Sequence, residues 1–531
     1  MRSSHATTVD VLIVGSGMNS LVAAALLARR GRSVLVLERE NVLGGCIRTE
    51  PLTLPGFLHD TLSMAQPAFV SGPAYALLGE ALHEAGLQYC RNETPTGVLL
   101  PDGRSLVLST SRQANRAAFD AAHAGDGAAY GAAMASIEAH AALIFSMLGS
   151  DLWNLSMAKE MTRQVWSRGA HAVTGFLGQS MTSCRHWLQA SIQGEALRAL
   201  LAPWALHSGL GPDSALSALM TQVTCLALER VGMPIPRGGN ARTVDAFVRV
   251  ISAAGGRLET QADVKRVLVR NGKAYGAALA DGREFHARDV ICNVTPTQLY
   301  GSLVESGHVP PEVLQQAHAY RYGKGNMQIH LALSEPVRWP AERLAGVSYV
   351  HLTPGLDAVS RAVNEAERGL LPVQPTICIG QPCATDASRA PEGRAILWIQ
   401  IPECPRVIRG DAAGLIDVPA DGAWTQAVRE AFADRIMRQL LQSVPGLEGS
   451  VLARRVLSPA DIAGMNANLV GGDPYGGACD LDQSMLWRPL RATRNHETAI
   501  RHLWHIGAST HPGPGLSGVS GVLVARRLGA C

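Results

Sequence analysis

The stretch VLIVGSGMNSLVAAALLARRGRSVLVLERE, which begins at Val11, constrains the fold of this chain more than any other. Val11 to Val14 form an uninterrupted apolar run, the pattern of a strand buried on both faces in a parallel sheet. Gly15, Gly17 and Ser20 follow at the spacing of a dinucleotide-binding loop. The first of these lets the chain turn sharply and the second lets backbone N–H groups approach a pyrophosphate; the third must be small so that helix and strand pack closely. LVAAALLARR supplies the helix, whose N-terminal partial positive charge faces the phosphates, and Gly31 ends it. Ser33 to Leu37 read as the second strand. Glu38, 23 positions after Gly15, stands where a carboxylate accepts hydrogen bonds from ribose hydroxyls.

GGCIRT, Gly44 to Thr49, separates two cofactors. A nicotinamide dinucleotide has no general need of a second glycine pair and an arginine soon after the ribose acid, whereas an extended FAD must be followed further along its length. FAD is therefore the expected cofactor. Cys46 reads as a small filler thiol, because a redox-active disulfide needs a second cysteine a few residues on and the next is Cys90.

Composition narrows the partners. With 47 basic and 44 acidic side chains the formal charge is +3, too small for a field that gathers polyanions, so no nucleic acid is expected. The ten cysteines include no CxxC pair, and no metal site is expected from their spacing. The leader MRSSHATTVD is short and polar, unlike a cleavable signal segment, and no apolar run reaches the roughly 18 to 20 uncharged residues of a membrane-spanning helix. The expected location is the cytoplasm, with peripheral contact at a membrane left open, as is the oligomeric state.

Along the chain, TGVLLPDGRSLVLST reads as a hairpin turning through Asp102 and Gly103. Residues 115 to 230 are rich in Ala, Leu, Met and Trp at helical spacing, and ALRALLAPWALHSGL and ALSALMTQVTCLALERV carry more apolar surface than one helix face requires; this reads as core, with part of it open to walling an apolar substrate tunnel or touching a membrane surface. An alternation of helix and strand resumes near Gly238 and Gly239 and runs to DVICNVTP. GNMQIHLALSEPV and RAILWIQIP look like strands of a second sheet, and AWTQAVREAFADRIMRQLLQSV like an amphipathic helix. HLWHIGASTHPGPGLSGVSGVLVARRLGA closes the chain as a strand, a glycine-rich loop and a helix beginning near Leu516.

Together, GxGxxS, Glu38 and GGxxRT resemble the glutathione-reductase-type FAD fold of the amine oxidase and phytoene desaturase superfamily. Within it the chain is most similar to phytoene-dehydrogenase-like flavoproteins labelled as pyridine nucleotide-disulfide oxidoreductase domain proteins, a label at odds with the missing cysteine pair. The resemblance implies an α/β fold: a discontinuous Rossmann FAD-binding domain over 1–75, 235–300 and 495–531, a mixed α+β substrate-binding domain over 76–114 and 301–494, and a helical insertion over 115–234. It implies that Gly44, Gly45, Arg48 and Thr49 lie along the flavin side of the cofactor and that Val264 lies against the adenine. It also implies that the final strand, loop and helix return to the FAD domain, which makes Gly507, Ala508, Gly515 and Ser517 cofactor contacts. LVGGDPYGG and the RPL of Arg488 to Leu490 resemble loops on the substrate side.

The resemblance implies an FAD-dependent oxidoreductase that takes a hydride from carbon of a largely apolar or conjugated small molecule. Two other readings stand beside it: an FAD-dependent amine oxidase releasing hydrogen peroxide, and a redox-neutral isomerase or non-catalytic FAD-bound scaffold. Many amine oxidases of the superfamily place a lysine beside the flavin; here the chain has four lysines, and Gln328 takes the matching place with Lys324 four residues earlier. For a catalytic base the candidates are His511 in STHPG and His207 in the helical insertion, since histidine transfers protons near neutral pH.

Overall fold

The computed structural model describes residues 8–530; Cys531 and the leader ahead of Thr8 lie outside the described residues. Two seven-stranded sheets organise the chain. In the first, Thr8–Val14 pairs in parallel with Val34–Leu37 on one side and Glu284–Asn293 on the other. Arg257–Glu259 and Leu503–Ile506 extend the parallel core outward from those neighbours. The hairpin Val264–Arg270 and Lys273–Leu279 joins antiparallel to the N-terminal half of Glu284–Asn293. The run read as a doubly buried strand is one: Val11 to Val14 are all buried. Helix Met18–Arg29 packs on this sheet with its small face, and every residue from Met18 to Ala28 is buried. Gly521 of the last helix sits so close that an added Cβ would meet the Asn19 carbonyl oxygen at 2.1 Å.

The second sheet runs in the spatial order Val451–Leu457, Gly325–Leu333, Ala395–Cys404, Ile377–Gly380, Tyr349–Leu352, Thr96–Leu99 and Ser105–Leu108. The last two form the expected hairpin, with Gly103 at φ +85° in its turn. Alternation along the strands divides the sheet's faces. Met327, Ile329, Leu331, Leu397, Ile399 and Ile401 pack under helix Gln426–Ser443, against its Val428, Phe432, Ile436 and Leu440. The residues between them turn to the other face, toward the helical insertion and the first sheet.

That insertion spans helices from Arg112–Ala122 to Ser217–Val231 and contains a 3-10 segment, Ala202–Ser208. Its apolar surface merges with that face of the second sheet in one core, where Trp204, Leu200 and Leu226 meet Tyr349, Cys378 and Trp398. The C-terminal helix begins at Val519, three residues after the expected Leu516, because Gly518 adopts φ +71° before it. No single described helix is long and apolar enough to cross a membrane; Asp126–Ala139 and Ala141–Gly149 together reach the length and composition but are bent by 60°.

Candidate cofactor and substrate cavity

One cavity of about 1420 Å³ lies between the two sheets and the insertion. Single small-molecule sites are roughly 300 to 1,000 Å³, so this volume suits an elongated cofactor together with a second molecule. One end is built by the glycine loop. Gly15 takes φ +86° and donates its N–H to the Leu37 carbonyl at 2.8 Å, which sets the sharp turn off the first strand. An added Cβ on Gly17 would stand 3.1 Å from Asn293 Nδ2, and one on Gly45 would stand 3.4 Å from the Gly17 Cα. The two glycine segments thus close on each other where only hydrogen side chains leave room for a ligand. Gly17 caps helix Met18–Arg29 without a side-chain hydrogen bond, so the helix's first N–H groups are open to an anion in the cavity.

Glu38 is buried and organises this end. Its Oε2 accepts from Ser16 N at 2.9 Å and Ser16 Oγ at 2.6 Å, and its Oε1 accepts from Glu40 N at 3.0 Å. Ser16 Oγ in turn accepts from Gly44 N at 2.9 Å, which couples the two glycine segments through one hydroxyl. A carboxylate has about four acceptor sites, and three are used, leaving one on Oε1 unfilled.

Of the residues expected to contact the cofactor, Gly15, Gly17, Glu38, Gly44, Gly45, Arg48, Val264, Ala508, Gly515 and Ser517 line the cavity. Arg48 Nε is buried without a hydrogen-bond partner. Ser20, Thr49 and Gly507 are not on the wall. Ser20 lies inside the first helix, where its Oγ accepts from Asn293 Nδ2 at 2.9 Å. Thr49 donates to Asp60 Oδ1 at 2.7 Å and accepts from Ala241 N at 3.0 Å, serving the start of helix Ala241–Ala253. Gly507 fits against Asn293, whose Oδ1 would lie 2.4 Å from an added Cβ. Asn293 therefore locks both loops behind the cofactor end, a role no motif in DVICNVTP announces.

Cys46 lines the cavity, and burial pushes its thiol up to about 11, the behaviour of an inert filler. All nine described cysteines are free. His511 is corrected as a candidate base: it is fully buried outside the cavity wall, beside the backbone of Met147 and Ser150, and burial drives its pKa down to about 4. Its neighbour Pro512 lines the wall instead. His207 does face the cavity, and burial lowers it to about 4 as well, so it presents a neutral imidazole.

The far end of the cavity is walled by Trp204, Met220 and Leu226 from the apolar helical runs of the insertion and by Tyr349, Trp398 and Met64, which no sequence signal marked. Register places a polar row across the second sheet at that end: His351 faces Cys378, Cys378 faces Gln400, and Gln400 faces Gln328. Gln328 and Gln400 line the cavity; Lys324 points away, with its Nζ 3.3 Å from Glu367.

A family described as flavin containing amine oxidoreductase matches residues 21–445. Among curated proteins, the chain is 24% identical to a mouse pyridine nucleotide-disulfide oxidoreductase domain-containing protein 2, covering 96% of this chain and 92% of that one. It is 24% identical to a zeta-carotene-forming phytoene desaturase of Myxococcus xanthus, over 98% and 93% of the two chains. An oxidoreductase of Methanosarcina mazei has a similar fold, with a TM-score of 0.61 at 18% identity, over 98% of this chain and all of the other.

Proposed function

Because the chain belongs to the flavin-containing amine oxidoreductase family and is an FAD-dependent oxidoreductase, we propose that it dehydrogenates carbon in a largely apolar, conjugated small molecule. The observation that carries this reading is the far wall of the cavity, where Trp204, Tyr349, Trp398 and aliphatic neighbours offer flat apolar surface and where Gln328, not a lysine, stands on the strand Gly325–Leu333. Such a wall favours an apolar body, whose surface gains free energy on leaving water, and gives a protonated amine no counter-ion.

The glycine segments and Glu38 hold the dinucleotide, Arg48 and the loop through Ala508, Gly515 and Ser517 line the remainder of its path, and the start of helix Val519–Arg527 aims N–H dipoles into the same space. When bound, FAD supplies the hydride acceptor. The protein's own share is to stack the substrate on aromatic faces and fix its reacting carbon. A conjugated donor makes this sufficient, because the cation left by hydride loss is delocalised and its neighbouring C–H gives up a proton to water.

Anaerobic mixing of the FAD-loaded protein with polyenes, cyclic enones and amines tests the reading. Bleaching of the flavin absorbance by conjugated apolar compounds, with none by amines, is expected. Bleaching by amines, with hydrogen peroxide released on admitting oxygen, would replace it with the C–N oxidase reading.

A further inference from the structure

We propose that His207, His351 and Cys378 form a binding site for a thiophilic divalent metal ion, with zinc as the probe. Nε2 of His207 and Nε2 of His351 lie 3.2 Å apart. The ligand atoms of all three residues fall within 4.8 Å of one another. Zinc bound to two imidazoles and a thiolate at about 2.0 to 2.3 Å in a tetrahedral arrangement separates nitrogen from nitrogen by about 3.3 Å and nitrogen from sulfur by about 3.6 Å. The nitrogen pair already has that spacing, and the sulfur, within 4.8 Å, has at most about 1.2 Å to close.

The three ligands come from three elements. His351 and Cys378 are direct cross-strand partners on one face of the second sheet, held side by side by the antiparallel register of Tyr349–Leu352 and Ile377–Gly380. His207 descends on them from the 3-10 segment Ala202–Ser208 of the helical insertion. The Trp204 ring braces both histidines, with centroids 4.7 Å from His207 and 5.1 Å from His351. His351 Nδ1 has no hydrogen-bond partner, so the one directional contact of that ring is through Nε2. Burial keeps both imidazoles neutral, the form that ligates.

Three protein ligands leave a fourth coordination position, and His207 is the member of the trio on the cavity wall. On binding, the ion sheds water, its charge draws off the proton that burial otherwise holds on the Cys378 thiol, and the contact between the two imidazoles is replaced by two metal–nitrogen bonds; no electron changes hands. The ion would pin the insertion to the substrate sheet beside the aromatic wall. Residues 207, 351 and 378 share no sequence spacing, which is why no motif marks them.

The test uses FAD-loaded, full-length protein stripped with a chelator and dialysed against zinc. Elemental analysis is expected to find one zinc per chain, X-ray absorption to show one sulfur and two imidazole nitrogens bound to it, and thermal unfolding to move upward with zinc. Cys378→Ser and His351→Gln are each expected to weaken zinc retention at least tenfold while FAD per chain stays constant. Should either variant lose FAD and so fail to fold, His207→Gln, on the cavity wall, carries the same measurement. No zinc retained by the wild-type protein, or equal retention in every folded variant, overturns the proposal and leaves a plain hydrogen bond between two neutral histidines.

Discussion

Glu38 shows what a single side chain does here. It is read from the sequence as a ribose acceptor, yet most of its hydrogen-bonding capacity is spent on Ser16 and Glu40, so it shapes the loop as well as the ligand. Glu38→Ala removes the partner of two backbone N–H groups and one hydroxyl, and is expected to weaken FAD binding at least about tenfold, or ~1.4 kcal/mol. Titration of the FAD-free protein with FAD measures it; an unchanged dissociation constant would show that the carboxylate faces no ribose. Ser16, by contrast, carried no signal in the sequence: any small residue satisfies the glycine-loop pattern, and only the folded chain brings its hydroxyl between Glu38 and Gly44.

Between elements, the contact that most depends on tertiary structure is the ion pair of Asp60 and Arg389, 2.8 Å apart with both side chains fully buried. Asp60 also accepts from Thr49 Oγ1 and Asn240 N, and Arg389 donates to the Leu58 carbonyl, so the pair ties the segment after the second glycine pair to the region of the second sheet. Arg389→Met leaves the carboxylate buried without its cation and is expected to cost about 3 to 5 kcal/mol. Urea denaturation would show this as a lower midpoint at unchanged slope. A loss below about 1 kcal/mol would mean that water reaches Asp60. Neither residue stands in a recognisable motif, since their partnership spans more than three hundred positions of chain.

At the scale of the whole molecule, buried histidines set the response to acid. Burial holds His59 and His496 down to about 3 and His207, His330, His505 and His511 to about 4. These groups stay neutral in the folded chain and take up protons in the unfolded chain below about 6.5. Their contribution to stability is thus complete above pH 6.5 and is lost as pH falls toward 4, at about 1.4 kcal/mol per pH unit for each histidine. Glu403 opposes them: burial raises it to about 7, so its contribution is present at low pH and fades as pH rises from about 4.5 through 7. Burial also holds His351 down and raises Asp60 and Asp473; seven histidines outweigh three carboxyls, and the urea midpoint is expected to be clearly lower at pH 5.5 than at pH 7.5. A midpoint that does not move would mean that these rings are hydrated in the folded protein.

The nucleotide end was legible in the sequence because its chemistry is local: a strand, a turn that needs glycine, a helix and an acid follow one another within forty residues, and each is dictated by backbone geometry over a few positions. The hairpin at Asp102 and Gly103 and the alternation in GNMQIHLAL were legible for the same reason. The far wall was legible only as an apolar surplus in the helical insertion, not as particular residues. Trp204, Tyr349, Trp398, Gln400 and the His207, His351 and Cys378 cluster are assembled by strand register and by the docking of a helical insertion on a sheet, and those depend on side chains hundreds of residues apart finding a common core. The order of residues alone thus determined which cofactor the chain is built around; the packing of two sheets and an insertion decided what stands opposite it, because non-local burial, unlike a glycine turn, leaves no fixed spacing along the chain.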